Sequence, residues 1–448
     1  MSNYRPISNL PYISKVLERV VSKQLNSHLE SQSLKENLQS AYRSNHSTET
    51  ALLRVANDTL MAIDKQNCVA LILLDLSAAF DTVDHITLLN RLQHRFGVTD
   101  SAHKWFASYL NDRTQSVVIN GTSSAPKTLS CCVPQGSVLG PELFTQYNSP
   151  LADLIRLHGV QLHLYADDSQ LYLPFKPGIS EHDCIKQLEA CIMDVRKWMA
   201  QNSLKLNDDK SEFVIIGTKQ QLDKVNVNTV QIGSSSVKRN MSARNIGVWF
   251  DENLKLKDHV QKVCQSAWFH LRNISKIRKY LTAEQTELVV HALITSRLDS
   301  NNCLLYGVDD YLLRRLQKVQ NAAAKVIVRK RKHDHVTPIL QALHWLPIKQ
   351  RVIFKIALLV FKCMHDLGPS YLKELLIPSI SKRSLRSTTA NVPSLVIPRV
   401  KLKYGERSFS YSGPFIWNNL PIEVRSANTV TAFKGRLKTY LFTCAYPN

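Results

Sequence analysis

The chain contains no Cys-x-x-Cys pair. Its nine cysteines are scattered, and the adjacent Cys131 and Cys132 form a spacing that rarely ligates a single zinc. The odd count and irregular spacing predict reduced, intracellular thiols rather than a disulfide framework. Long apolar runs are also missing: "VALILL" and "IALLVF" are far too short to cross a bilayer. The opening MSNYRPISNL has no basic-then-apolar leader pattern. Together these absences predict a soluble protein of the cytoplasm or nucleus with no membrane partner. No internal repeat is visible, which sets aside solenoids and propellers. Acid is scarce: 36 Asp and Glu stand against 57 Lys and Arg, a formal charge of +21 over 448 residues. A hydrophobic fraction of 44% keeps the chain among globular proteins, so the excess charge belongs to a folded surface. Such a surface suits a polyanion, nucleic acid first, although charge alone also fits a merely sticky exterior.

What is present alternates helix and strand. Residues 11–66 read as helical: "YISKVLERVVSKQLNSHLE" sets Ile13, Val16, Leu17, Val20, Val21 and Leu25 on one stripe, and Ser47 with Thr50 makes a weak capping box before a second helix. "CVALILLDL" reads as a buried strand, and "ITLLNRLQHRFG" as a helix ended by Gly97. The Asn-Gly in "TQSVVINGTSSAPKTLSCCV" predicts a hairpin. "GPELFTQYNSPLADLIRLHG" reads as one helix, "VQLHLYADDSQLYL" as two strands, and "EHDCIKQLEACIMDVRKWMAQNSL" as an amphipathic helix. "SEFVIIG" and "RNIGVWFD" read as strands. Residues 258 to about 330 are helical throughout, and "PIKQRVIFKIALLVFKCMHDLG" is one further helix opened by Pro347 and closed by Gly368.

The adjacent Asp167 and Asp168, inside the apolar run "HLYADDSQLY", pose the chemical question. Two neighbouring carboxylates beside a buried strand repel one another and lose hydration. Taken alone they fit a solvated turn at a hairpin tip. Asp75 changes the balance, because it follows a second buried strand. Two strand ends bearing carboxylates can converge on two magnesium ions, which favour hard oxygen ligands and also bind phosphate. Such a pair activates an attacking hydroxyl and stabilises the leaving oxygen of an in-line displacement.

At these residues the chain resembles a known family. "LLDLSAAFD" and "YADD" are similar to motifs A and C of reverse transcriptases, with "PQGSVLGPELF" between them as motif B. "NSLKLNDDKSEFV" resembles motif D, "RNIGVWFD" motif E, and "NYRPISNLPYISKVLERVV" and "LQSAYRSNHSTETALL" the finger motifs of non-LTR retrotransposon enzymes. The seven blocks occur in order over about residues 3–250. The finer affinity is with jockey, CR1 and L2-type LINE elements, whose C-terminal tails "LHWLPIKQRVIFKIALLVFK" and "FIWNNLPIEVRS" resemble. The resemblance implies an α+β right-hand polymerase: fingers and palm in 1–250 around an antiparallel sheet flanked by helices, a helical thumb in 251–330, and a basic, mainly helical extension in 331–448. It implies RNA-directed DNA synthesis from a DNA primer or nicked target DNA on an RNA template, with dNTPs and two Mg2+ ions, Mn2+ being an alternative. The family's elements usually carry an endonuclease ahead of the polymerase. Here the finger motif begins at residue 3 and no CCHC knuckle is present, so neither domain is expected. The rival expectation is an inactive remnant that only binds nucleic acid.

Roles carry over by motif. Asp75, Asp167 and Asp168 match the catalytic metal-binding triad, with the Leu76 carbonyl as a further metal ligand. Phe80 matches an aromatic gate that excludes a 2′-hydroxyl, and a core phenylalanine is its plain alternative. Gln135 and Gly136 match the motif B loop at the nucleotide, where glycine permits close approach. Arg43 matches a finger residue on the triphosphate, to which a guanidinium can bond bidentately. Lys210 matches a motif D lysine near the pyrophosphate, with a simple salt bridge to neighbouring acids as the alternative. Gly247 falls in the primer grip. Asp81 and Asp84 read as structural. Between Tyr311 and Cys363 twelve Lys or Arg face one acid, Asp334. The stretch "RRLQKVQNAAAKVIVRKRKH" spaces basic residues on a helix whose apolar face packs while the other meets phosphate, and the cluster Arg329, Lys330, Arg331 and Lys332 in it is the expected nucleic-acid contact, a solvated helix face being the bland reading.

Overall fold

The computed structural model describes residues 7–77, 80–233, 235–331, 333–379 and 393–447. Two helices, α1 (Tyr12–Ser31) and α2 (Thr48–Asp64), open it. The expected capping box is present in full: the Ser47 hydroxyl accepts from the Thr50 N–H, and the Thr50 hydroxyl accepts from the Ser47 N–H. On α1 the expected apolar stripe faces inward only in its second half: Val21 and Leu25 pack on the core, whereas Ile13, Val16, Leu17 and Val20 are exposed and Glu18 is buried in their place. The first half of the helix rests on backbone N–H groups, which need an acceptor rather than a hydrocarbon face.

Strand β1 (Cys68–Leu74) lies inside a six-stranded sheet and explains its own apolar run. Val69 and Leu71 face one hydrophobic core, and Ala70, Ile72 and Leu74 face the other. A strand buried on both sides cannot alternate with polar residues. Short β2 (Leu76–Ser77) follows, then α3 (His85–His94) and α4 (Asp100–Leu110). Next comes an exposed two-part ribbon of β3 (Thr114–Gln115), β4 (Val118–Ile119), β5 (Thr122–Ser123) and β6 (Lys127–Thr128). Asn120 and Gly121 turn it at φ +51° and +83°, as the Asn-Gly pair predicts. The expected single helix after residue 140 is two, α5 (Gly140–Asn148) and α6 (Pro150–Leu157), because Pro150 has no N–H to continue the ladder.

The other sheet strands are β7 (Gln161–Tyr165), β8 (Asp168–Phe175), β10 (Glu212–Ile216), β11 (Thr229–Ile232) and β12 (Ser235–Asn240), in the order β11-β12-β10-β1-β8-β7. Helix α7 (Glu181–Gln201) packs beneath, and β9 (Lys205–Leu206) pairs with β2. The sheet is antiparallel as expected except where β12 meets β10, a parallel contact of two residue pairs made after short α8 (Lys219–Leu222) reverses the chain. "RNIGVWFD" is also not one strand. It folds as a hairpin of β13 (Ser242–Asn245) and β14 (Val248–Asp251), because Ile246 and Gly247 take φ +40° and +90°.

The helical remainder comprises α9 (Lys257–Ile277), α10 (Ala283–Val290), α11 (Ser296–Asp299), α12 (Asp310–Ile327), α13 (Thr337–Ala342) and α14 (Ile348–Met364). Pro347 is the N-cap of α14 as its sequence implies, but Asp366, at φ +57°, makes the left-handed turn after it rather than Gly368. Helices α15 (Ser370–Lys373), α16 (Lys403–Arg407), α17 (Phe409–Asn419), α18 (Ile422–Arg425) and α19 (Val430–Ala445) complete the chain. These share one core with the palm: Phe361 stacks on Phe433 at 4.2 Å in the cluster that contains Val69 and Leu71. Polar bolts reinforce the contact. Asp64 at the end of α2 accepts the N–H groups of Lys401 and Leu402 at 2.8 and 2.7 Å. The buried Tyr371 hydroxyl bonds Ser40 and Thr50 at 2.8 and 2.9 Å.

Candidate active site

The register of the sheet brings the acidic residues together. Leu74 pairs with Ser169, so one further step sets Asp75 opposite Asp168. Strands β7 and β8 are joined by a two-residue turn, Ala166-Asp167, closed by the Tyr165–Asp168 pair. Ala166 takes φ +58°, uncommon for a residue with a Cβ, and its backbone is held from outside. The buried Gln39 side chain accepts the N–H groups of Ala166 and Ala41, each at 3.0 Å. Gln39 lies in the finger block "LQSAYRS" and clamps the turn that carries the aspartates.

Motif D closes the other side. The Asn207 N–H donates to the Asp75 carbonyl at 2.9 Å, and Lys210 Nζ stands 3.3 Å from Asp75 Oδ2. Lys210 therefore makes a salt bridge, but with the candidate catalytic carboxylate itself. Burial, and next the negative charge of Asp167, push the Tyr42 phenol up; burial and Asp168 do the same to Tyr165. The neighbouring Arg43 is half-buried and donates to the Glu36 carbonyl at 2.7 Å. Burial lowers its guanidinium pKa.

The motif B loop lies against the turn after motif A. The Phe80 ring meets Phe144 at 4.9 Å with a 31° tilt, and its carbonyl accepts from the Val133 N–H at 2.9 Å. Asp81, read as structural from sequence, accepts from Gln135 Nε2 at 3.0 Å and so fixes that amide. Gly136 has φ +104°, and a Cβ there would come within 3.2 Å of the Ser8 carbonyl. Asp84 is structural as read: it caps α3 by accepting from the Thr87 N–H at 2.7 Å. Gly247 sits at the tip of the β13–β14 hairpin with nothing near its Cα face. Asn245 ties that hairpin to the palm, donating to Gln170 at 2.8 Å two residues from Asp168.

Leu76 is buried and paired with Leu206. Arg329 uses its guanidinium on the carbonyls of Arg278 and Leu281, at 3.4 and 3.0 Å, while Lys330 and Arg331 are exposed beyond α12. Lys332 lies outside the described residues. A second cationic surface joins the expected basic face of α12 to residues of α9 that the sequence did not point to. Trp268, Phe269 and Arg272 of α9 and Arg315 and Lys318 of α12 line one groove, with no acid among its lining residues.

The donors at the strand ends are carboxylate oxygens, which suit a hard divalent cation. Among the described residues no group of three or more His, Cys, Asp or Glu is placed to hold a metal ion.

Residues 1–250 match the family described as reverse transcriptase (RNA-dependent DNA polymerase). The chain is 28% identical over 342 residues to the probable RNA-directed DNA polymerase from transposon X-element of Drosophila melanogaster, covering 73% of this chain and 36% of that protein. It is 24% identical over 339 residues to the RNA-directed DNA polymerase from mobile element jockey of the same organism, again over 73% and 36%. The chain thus spans little more than a third of the length of these relatives. Among solved structures it is similar to telomerase from Candida tropicalis, at 13% identity and a TM-score of 0.37 over 74% of this chain and 56% of that one. With the family match spanning more than half the sequence, the chain belongs to the reverse transcriptase family.

Proposed function

We propose that the chain is the RNA-directed DNA polymerase of a jockey-like non-LTR retrotransposon, extending a DNA primer or nicked target with dNTPs on an RNA template. The observation that carries this reading is the register that sets Asp75 opposite Asp168 beside the Ala166-Asp167 turn. Asp75, Asp167 and Asp168, with the Leu76 carbonyl, would hold two Mg2+ ions, or Mn2+ in their place. When bound, such ions lower the cost of ionising the primer hydroxyl and of charge on the leaving pyrophosphate. The protein's own part is positioning. Phe80 and Phe144 give the nucleotide sugar a rigid floor. The amide of Gln135, fixed by Asp81, and the backbone at Gly136 define the wall beside it. Arg43 supplies positive charge for the triphosphate. Lys210 is 66% exposed, so its flexible stem can carry the ammonium from Asp75 to the departing pyrophosphate.

The nucleic-acid partners are supported by two cationic surfaces. The groove between α9 and α12 offers exposed Trp268 and Phe269 for stacking and Arg272, Arg315 and Lys318 for phosphate. Arg329 to Lys332 add charge beyond α12, and Gly247 supports the primer-grip reading by leaving the hairpin tip open. The work belongs in this reading to the cytoplasm or nucleus, which the free thiols and the basic surface support. The test is magnesium-dependent extension of a DNA primer on an RNA template. RNA binding without any extension would instead identify a nucleic-acid-binding remnant.

A further inference from the structure

We propose that Glu18 of α1 is a positioning residue for nucleotide selection, because its buried carboxylate sets the height of the motif B loop. This inference rests on the polymerase reading above.

Glu18 is 1% exposed, a costly place for a glutamate unless its oxygens are satisfied. They are. One oxygen accepts from the Val138 N–H at 2.6 Å and the Leu139 N–H at 3.1 Å; the other accepts from the Ser14 hydroxyl at 3.0 Å. Val138 and Leu139 sit directly before α5, where backbone N–H groups lack intrahelical partners and the helix dipole favours an anion. Gln135 and Gly136 lie three and two residues upstream of Val138. The loop between has little slack. Ser137 folds it back through its N–H and hydroxyl onto the Pro134 carbonyl, and the same hydroxyl accepts from the Gly140 N–H at 2.9 Å. A Cβ at Gly140 would fall 2.6 Å from that hydroxyl.

Two further contacts show that α1 and the segment before it serve as a strut for this loop. Upstream, the Ser8 N–H donates to the Gln135 carbonyl at 2.8 Å. Downstream, Glu142 of α5 accepts from Ser22 and Asn26 of α1 at 2.7 and 2.8 Å. Glu18 lies between them and alone among the three grips two N–H groups at once. It also accounts for the exposed first half of the apolar stripe: there the inward face of α1 is built around a carboxylate.

The loop in turn holds the wall of the nucleotide pocket, through Gln135 to Asp81 and through Val133 to the carbonyl of Phe80. Releasing Val138 and Leu139 therefore loosens the pocket without removing any residue that touches the nucleotide.

The experiment compares the parent chain with Glu18→Ala, Glu18→Gln and Ser22→Ala. Glutamine keeps the shape and one carbonyl acceptor for both N–H groups. Ser22→Ala weakens the strut away from the loop and controls for stability alone. Glu18→Ala is expected to raise KM for dNTPs by about tenfold with a smaller change in kcat, and to leave primer–template affinity unchanged. Glu18→Gln should return KM to within about threefold of the parent. Ser22→Ala should lower Tm and leave KM in place. Amide hydrogen exchange at residues 133–140 gives a readout independent of activity, expected to rise in Glu18→Ala. Faster exchange in Glu18→Ala than in a parent chain that itself never extends a primer would uphold the positioning contact while the polymerase reading fails. Unchanged KM and unchanged exchange in a folded Glu18→Ala would overturn the proposal, as would an equal rise of KM in Ser22→Ala.

Discussion

Phe80→Val separates a sugar gate from a core phenylalanine. The ring is half-buried, rests on Phe144 at 4.9 Å and touches the palm core. Truncating a fully buried phenylalanine to alanine costs about 3–5 kcal/mol. Valine keeps part of the volume, and the exposed side of the ring contributes little, so about 1–2 kcal/mol is expected here, including the lost aromatic pair. That loss lowers the folded fraction and affects every substrate alike. The gate makes a different demand, because removing the ring opens room for a 2′-hydroxyl. The assay is kcat/KM for a ribonucleotide and for its deoxy counterpart on one primer–template, with Tm measured in parallel. A loss of folded enzyme cancels in the ratio. The expected result is a shift of about tenfold or more toward the ribonucleotide, equivalent to about 1.4 kcal/mol of discrimination. A ratio that stays fixed while Tm falls would assign Phe80 to the core alone.

Two further outcomes follow from a buried neutral imidazole and from exposed cations. His163, fully buried in β7 with its Nε2 at 2.8 Å from the Ser40 hydroxyl, has its pKa pushed down to about 3 by burial. Between that value and the unfolded value of about 6.5 the unfolded chain binds the extra proton, so stability is full above about pH 6.5 and is lost as pH falls toward 3. From pH 6.5 to 5 the loss is about 2 kcal/mol. Urea unfolding of His163→Gln should show a flatter slope over that window; His259, pushed down to about 4, retains its own contribution. A slope equal to the parent's would refute the assignment. For RNA binding, replacing Trp268, Arg315 and Lys318 with alanine should weaken affinity and remove about two phosphates' worth of salt dependence, whereas alanine at Arg329, Lys330, Arg331 and Lys332 should remove up to about four. Because Arg329 is engaged with two carbonyls, the second set loses less slope than its four charges imply, and an unchanged salt slope in either set would mark it as solvated surface.

The strand ends were legible because their chemistry is local. "CVALILLDL" has the composition of a doubly buried strand, and "YADD" can only turn where it does if Ala166 accepts a positive φ. The order of the motif blocks supplied the rest of the palm. What stayed hidden depends on contacts across the fold. The α1 periodicity pointed to Ile13, Val16, Leu17 and Val20, yet the buried face was chosen by the backbone donors of a loop some 120 residues away in sequence. Asp81 and Gln39 look like ordinary polar residues until their partners, Gln135 and Ala166, are placed beside them. The basic face of α12 was legible, but its pairing with Trp268, Phe269 and Arg272 of α9 was not, because that groove is built from two helices distant in sequence. The tail's weak periodicity hid helices that pack on α2 through single polar bolts such as Asp64 and Tyr371.

The central claim is that Asp75, Asp167 and Asp168 form one catalytic centre. Its most direct test is Asp167→Asn, assayed side by side with the parent for magnesium-dependent extension of a DNA primer on RNA and for RNA affinity. The substitution keeps the size of a side chain in a two-residue turn whose backbone Gln39 already holds, so the fold and the cationic grooves should survive. The account predicts extension reduced by at least about a thousandfold, on the scale of losing a group that stabilises transition-state charge, with RNA affinity within about twofold of the parent. Extension at the parent's rate by a folded Asp167→Asn would contradict it.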